Sequence, residues 1–336
     1  MTVHRLIGSP LAAIIFLVTA GTVSAQTQKE LLDELDRTIE EAESYVSAKE
    51  VRIKTIENTL HSRGVSPERQ YRIYGELFDE YQPFNYGKAV ETLDKQMEIA
   101  MLLGDKSKLN DVYLKEAMLN TAAGEFLEAR NDLARVDTTI FTKEQEIAYC
   151  NVQQRFWFDY DENLKGADKS MLRKVAYYRE RLLALADPSS SLSRYVTVRK
   201  YIDEKYFAQA DFINRHSLSR MDPASHDYAN LAYFQARICE SLNRREEMKN
   251  WFIRSAMADI KTATKDNASL FSLADALFKD GDYARAFKYS SFSLEDAIAF
   301  DAKLRQWQIS AILPAVQKSY TDIQQTHQKK TSNMLV

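Results

Sequence analysis

The sequence predicts an all-α chain built as a right-handed α-solenoid of about six helical hairpins, with long helices at both ends. Three observations predict it. First, one pattern recurs along the chain, and its last copy is the clearest: Leu270-x-x-Leu273-Ala274-x-x-Leu277-x-x-x-Gly281-Asp282-Tyr283-x-x-Ala286-x-x-x-Ser290. A large residue opens helix A, a small residue one turn later admits helix B, and a Gly-Asp-aromatic turn precedes a small residue that seats helix B. Second, those seats are evenly spaced. Ala89 to Ala129 is 40 residues, and Ala210 to Met248 and Met248 to Ala286 are 38 each. The 81 residues from Ala129 to Ala210 leave room for one worn unit. Third, only 9 glycines and 6 prolines occur in 336 residues, which favours long helices with short joints. This is the tetratricopeptide layout, with units longer than the ~34 residues of the standard repeat.

The elements follow in order. Residues 1–25 read as a signal peptide: His4 and Arg5, an apolar stretch from Leu11 to Ala20, then Val23-Ser24-Ala25 before Gln26. An uncleaved anchor is the alternative reading. Residues 26–66 form an N-terminal helical region, helical from Thr27 to about Ser62 by the spacing of Leu31, Leu32, Leu35, Ile39, Val51, Ile53, Ile56 and Leu60. The repeat array spans 67–294. Its first hairpin carries Tyr71, Tyr74 and Phe78 on helix A, a turn at Tyr81–Tyr86, and Ala89, Leu93 and Met97 on helix B. The second turns at Gly124-Glu125-Phe126. The third is degenerate, Glu144 to Tyr160 and Lys169 to Leu185. The fourth runs from Tyr195 to His216, and the fifth turns at Asn243-Arg244. Residues 295–336 are a C-terminal helix with Pro314 as its kink and a frayed tail from Thr331.

Composition narrows the function classes. A formal net charge of −3 leaves no electrostatic footprint for nucleic acid. With 45% hydrophobic and 28% charged residues the chain is globular, not disordered. No apolar stretch of membrane-spanning length follows the signal segment. Cys150 and Cys239 read as buried free thiols, with a disulfide as the alternative in an oxidising compartment.

The N-terminal hundred residues carry a resemblance. Leu35-Asp36, Lys49-Glu50-x-Arg52-Ile53 and Tyr71-x-Ile73-Tyr74-x-x-Leu77-Phe78-x-Glu80-Tyr81-x-x-Phe84-x-Tyr86 resemble a bacterial family of unknown function whose members look like exported tetratricopeptide sensor-regulators. In those relatives a periplasmic repeat region is followed by one membrane helix, a coiled coil and a cytoplasmic winged-helix module. Gln306-Trp307, Leu313-Pro314, Tyr320 and His327-Gln328-Lys329-Lys330 resemble the segment before that membrane helix. The resemblance implies ligand sensing for control of transcription. The membrane helix and the winged-helix module have no counterpart in the sequence given.

Catalytic and metal chemistry find little support. The five histidines form no close helical pair, and no HExxH, P-loop, G-x-S-x-G or dinucleotide fingerprint occurs. Asp159-Tyr160-Asp161-Glu162-Asn163 begins like a calcium loop, but Leu164 and Ser170 stand where glycine and an acidic residue are needed. No two carboxylates stand out as an acid/base pair. Phe156-Trp157-Phe158 and Tyr177-Tyr178 read as core packing before sugar stacking. No cofactor or metal is expected.

What remains is the groove of the array. Helix A positions outside the packing register include Arg72, Glu76, Tyr195, Arg199, Tyr233, Arg237, Phe271 and Asp275. Mixed arginine, tyrosine and acidic residues suit a protein or peptide partner. The expectation is a non-catalytic, exported, periplasmic scaffold: the sensory, partner-binding part of a transcription-regulating system. A glycan-binding helical protein of a nutrient-uptake system is the alternative, and a helical hydrolase the third reading.

Overall fold

The structure, a computed structural model, describes residues 27–62, 64–163, 169–265 and 268–334; the signal-peptide reading lies outside them. Among the described residues there are fifteen α-helices and no strand. Six hairpins form the array: α3 (Pro67–Tyr81) with α4 (Tyr86–Leu103), α5 (Lys106–Ala123) with α6 (Phe126–Arg135), α7 (Lys143–Asn163) with α8 (Lys169–Leu185), α9 (Ser191–Asp203) with α10 (Phe207–Leu218), α11 (His226–Ser241) with α12 (Arg245–Lys261), and α13 (Ser269–Asp280) with α14 (Tyr283–Phe300). Before them stand α1 (Gln28–Glu40) and α2 (Ala42–Leu60), and after them α15 (Lys303–Met334). The architecture is an all-α, tetratricopeptide-like solenoid.

Local chemistry sets the helix ends. Thr27 and Glu30 form a capping box at α1, the Glu30 amide donating to Oγ1 at 3.3 Å and the Thr27 amide to Oε2 at 2.8 Å. Asn85 and Asp105 cap α4 and α5 through their side chains. Gly124 and Gly281 close α5 and α13 in the left-handed region, at φ 85° and 87°, where only glycine avoids a steric penalty. Lys205 and Asn243 hold the same turn position in the fourth and fifth hairpins at φ 62° and 58°.

The seats explain the spacing. Ala89, Ala129, Ala210, Met248 and Ala286 are each the fourth residue of their helix B, and each is buried. A larger residue there would push helix B off helix A. In the third hairpin, among the described residues of α8, which begin at Lys169, Leu172 is 49% exposed and the first buried residue is Val175.

Two expectations are corrected. The N-terminal stretch is not one helix: it breaks at Glu41, and α1 packs on the array's last hairpins together with Ala42 and Tyr45 at the start of α2. The last stretch also breaks, at Asp301 in the left-handed region (φ 69°), so α14 runs on to Phe300 and α15 is a separate helix. Pro314 sits inside α15 without ending it.

The largest surprise is long-range. Leu31, Leu32 and Leu35 of α1 are buried in one cluster with Phe252, Ile253 and Ile260 of α12 and Ala286 and Tyr289 of α14. Helix α1 is therefore part of the core of the array's last hairpins. The first hairpin also meets the sixth. The Lys265 amide donates to the Pro83 carbonyl at 2.8 Å. Tyr86 and Phe300 meet edge to face at 6.3 Å, and Lys303 Nζ reaches Glu125 at 2.5 Å. The array doubles back until its two ends touch.

Candidate functional site

Among the A helices, α5 lies beside α7 and α9 beside α11, and their outer side chains give the array an A-helix face. On α7, α9 and α11 this face has a defined cluster. The Arg199 guanidinium lies over the Phe158 ring at 3.9 Å and is 5.6 Å from the Phe234 ring, so it bridges three successive A helices. Its Nε is 3.4 Å from Asp203 Oδ1. Asp203 also accepts from Arg179 Nη2 at 2.8 Å, and Arg179 is buried. Tyr195, one turn before Arg199, packs against Phe234 with ring centroids 5.0 Å apart.

Beside this shelf, Leu192 and Tyr195 of α9, Met221 of the joint, and Asp227, Asn230 and Leu231 of α11 line a half-open recess of about 320 Å³. Its lining is mostly apolar with a few polar groups, the composition common to binding pockets. Glu162, at the end of α7, is open to solvent yet crowded by its surroundings. Burial pushes its carboxyl above the usual range, while Arg199 and, more weakly, Arg237 pull the other way.

The α3–α5–α7 side carries a run of charged and polar side chains. Burial raises the Asp79 carboxyl of α3 and depresses the Lys115 ammonium of α5, and the two attract each other. Lys115 Nζ lies 5.1 Å from the centre of the Phe78 ring. Asp111 of α5 accepts from Gln145 Nε2 of α7 at 2.7 Å.

The eight residues read from the sequence fall into two groups. Arg72 and Glu76 are exposed on α3, and Arg237 is half exposed, paired with Glu240 at 2.6 Å. Asp275 is 39% exposed and bonds Lys279 at 2.6 Å. These four are available to a partner. The other four are engaged in packing, which corrects the premise that all eight lie outside it. Tyr233 is wedged between Phe234 and Phe252, with centroids at 6.2 and 5.8 Å. Phe271 packs against the cluster of Ala297, Phe300, Ala302 and Ile309. Tyr195 and Arg199 are held in the shelf described above.

The sequence reading missed Glu162, Phe158, Phe234 and Asp203 as members of this face. A signal for one of them exists: Asn230, Phe234 and Arg237 share a helical face at i, i+4, i+7. The calcium-like run is helical through Asn163, where α7 ends among the described residues, and Asp159 is paired with Arg155 at 2.6 Å. Its Leu164 lies outside the described residues. Among the described residues no group of acidic, His or Cys side chains is arranged to hold a metal ion, and no helix is long and apolar enough to cross a membrane.

Residues 39–311 match the model of a protein family described as the SusR N-terminal TPR domain. Among solved structures the chain is similar to the TPR2AB-domain:pHSP90-complex of yeast Sti1, at 14% identity over 85% of this chain and 99% of that one, with a TM-score of 0.33. That likeness is too distant to carry an argument. No curated protein matches the chain.

Proposed function

Because the chain belongs to the family of SusR N-terminal TPR domains, we propose that it is a non-catalytic, exported scaffold whose A-helix face binds a protein or peptide partner in the cell envelope. Its binding state is read out in the control of transcription by other parts or partners. The tetratricopeptide family and fold are those of protein-interaction scaffolds. The observation that carries the reading is the face of α7, α9 and α11. Arg199 is fixed over Phe158 by Asp203, so a rigid aromatic and cationic shelf is already built. Preorganised groups of this kind lose little entropy when a partner docks. Arg237 and Glu162 flank the shelf with charges of both signs, which suits a partner recognised by pattern more than by net charge.

The test is site-specific photocrosslinking in cells. Crosslinkers at Glu76 and Arg237, on the A face, are expected to capture the same partner. One at Lys95, exposed on helix α4, is expected not to. Capture that ignores position, or none from either A-face site, would reject the face. Cell fractionation and N-terminal sequencing check export: the expected mature start is Gln26.

A further inference from the structure

The contact between the first and sixth hairpins is a seam with an unusual composition. Its centre is Lys265, in the joint between α12 and α13. The Lys265 amide donates to the Pro83 carbonyl at 2.8 Å, and its ammonium sits 5.4 Å from the centre of the Phe84 ring. The same ammonium is 3.9 Å from Asp296 Oδ1 of α14, too far for a hydrogen bond. Both side chains are enclosed, at 19% and 15% exposure. One turn beyond Asp296, Phe300 meets Tyr86 of the first hairpin. A carboxyl group is thus shut into a joint between two distant parts of the chain; among the described residues Lys265 is the cation near it, and none donates it a hydrogen bond.

We propose that this seam is a proton-operated latch: with Asp296 neutral the first and sixth hairpins stay joined, and with Asp296 ionised the joint loosens so that the carboxylate reaches water. The latch is independent of what the A-helix face binds.

Burial pushes the Asp296 carboxyl up to about 7, Lys265 works against that rise, and Glu295 beside it adds to it. Other ionisable groups near the seam have partners of their own: His226 Nδ1 of α11 lies 3.4 Å from Thr264 Oγ1, beside Lys265. Lys303 of α15 is drawn to Glu125 at 2.5 Å. Lys49 of α2, on the same Phe84 ring at 5.8 Å, is bonded to Glu80 at 3.2 Å. Glu80 also holds Arg52 at 3.5 Å. The sign follows from linkage. The closed seam binds its proton more tightly than the open one, so closure is fully stabilised below the ordinary aspartate range near ~4. That stabilisation is lost as pH rises toward the raised value, and above it opening changes no further.

Hydrogen exchange on the full chain tests this, because the Lys265 amide reports seam closure directly. After correction for intrinsic exchange, protection of that amide is expected to fall on the order of tenfold per pH unit between about pH 5 and 7 and then level off. Asp296→Asn, neutral at every pH and of the same shape, is expected to abolish that slope. Lys265→Gln, which removes the nearby cation but keeps the backbone donor, is expected to move the levelling-off point to higher pH. A merely structural role for Lys265 would weaken the seam without moving that point. A flat wild-type profile would overturn the proposal, as would an Asp296→Asn slope equal to wild type or a Lys265→Gln profile levelling off at the wild-type pH.

Discussion

Asp36 Oδ2 accepts a hydrogen bond from Arg285 Nε at 3.0 Å, although 249 positions separate the two residues. The other Asp36 oxygen accepts from Lys288 Nζ at 3.0 Å and Tyr289 Oη at 3.2 Å. Tyr289 is fully buried, so its hydroxyl needs this acceptor. The three apolar residues Leu31, Leu32 and Leu35 supply the area that docks α1, and Asp36 fixes where it docks. Asp36→Ala leaves three donors short of a partner and is expected to cost about 1–3 kcal/mol. Asp33, 43% exposed and bonded to the same arginine, is expected to cost under about 1 kcal/mol when changed to Ala. Urea denaturation of the two variants measures the difference.

The same contact predicts an acid limit. Burial opposes ionisation of Asp36, but the hydrogen bonds from Lys288 and Arg285 outweigh it and hold its carboxyl below the ordinary value. Its contribution is therefore present above the ordinary aspartate range near ~4 and is lost as pH falls through the lowered value. Amides of α1 are expected to lose exchange protection below about pH 4 before those of α11 and α12 do. Simultaneous loss in all three helices would show that α1 is no separate unit.

Lys205 occupies a glycine's position. Its φ of 62° matches the turn that Gly124 and Gly281 make in other hairpins. A side chain in that region costs about 1–2 kcal/mol, partly offset by the greater entropy a glycine loses on folding. Lys205→Gly is expected to stabilise the chain by about 0.5–1 kcal/mol, and Lys205→Val to destabilise it. Thermal unfolding of both variants decides, and a loss of stability in the glycine variant would refute the argument.

A buried seat and an exposed position on the third hairpin should respond differently. Ala210 is fully buried at its helix contact, so Ala210→Leu is expected to cost about 1–3 kcal/mol by overpacking. Leu172 of α8, half exposed, is expected to tolerate Ala within about 0.5 kcal/mol. Chemical denaturation distinguishes the two.

Cys150 and Cys239 are unpaired and buried in separate clusters. Burial pushes the Cys150 thiol up to about 11 and raises that of Cys239, so neither is a thiolate at neutral pH. Iodoacetamide is expected to modify both only after unfolding, as intact-mass measurement in and out of denaturant would show. Rapid labelling of either thiol in the native chain would contradict this burial.

The hairpins were legible in the sequence because the contacts that make them are local. A seat such as Ala286 meets helix A within about 15 positions, so the requirement for a small residue recurs at a countable interval. Exposure of the eight A-helix residues was half legible. Arg72, Glu76, Arg237 and Asp275 are open to solvent, but the registers of Tyr233 and Phe271 depend on Phe252 and Phe300, which lie on different helices. Leu35, Asp36, Lys49, Glu80, Phe84 and Tyr86, which carried the family resemblance, all proved to be docking or seam residues.

By itself, the amino-acid sequence determined that this chain is helical, where its hairpins turn and which small residues seat them. Only the tertiary structure decided that α1 completes the core of the last hairpins and that Lys265 meets Pro83. The physical reason is accumulation. Each hairpin is rotated slightly on the one before, and the sum over six sets whether the ends part or meet. No local spacing encodes that sum.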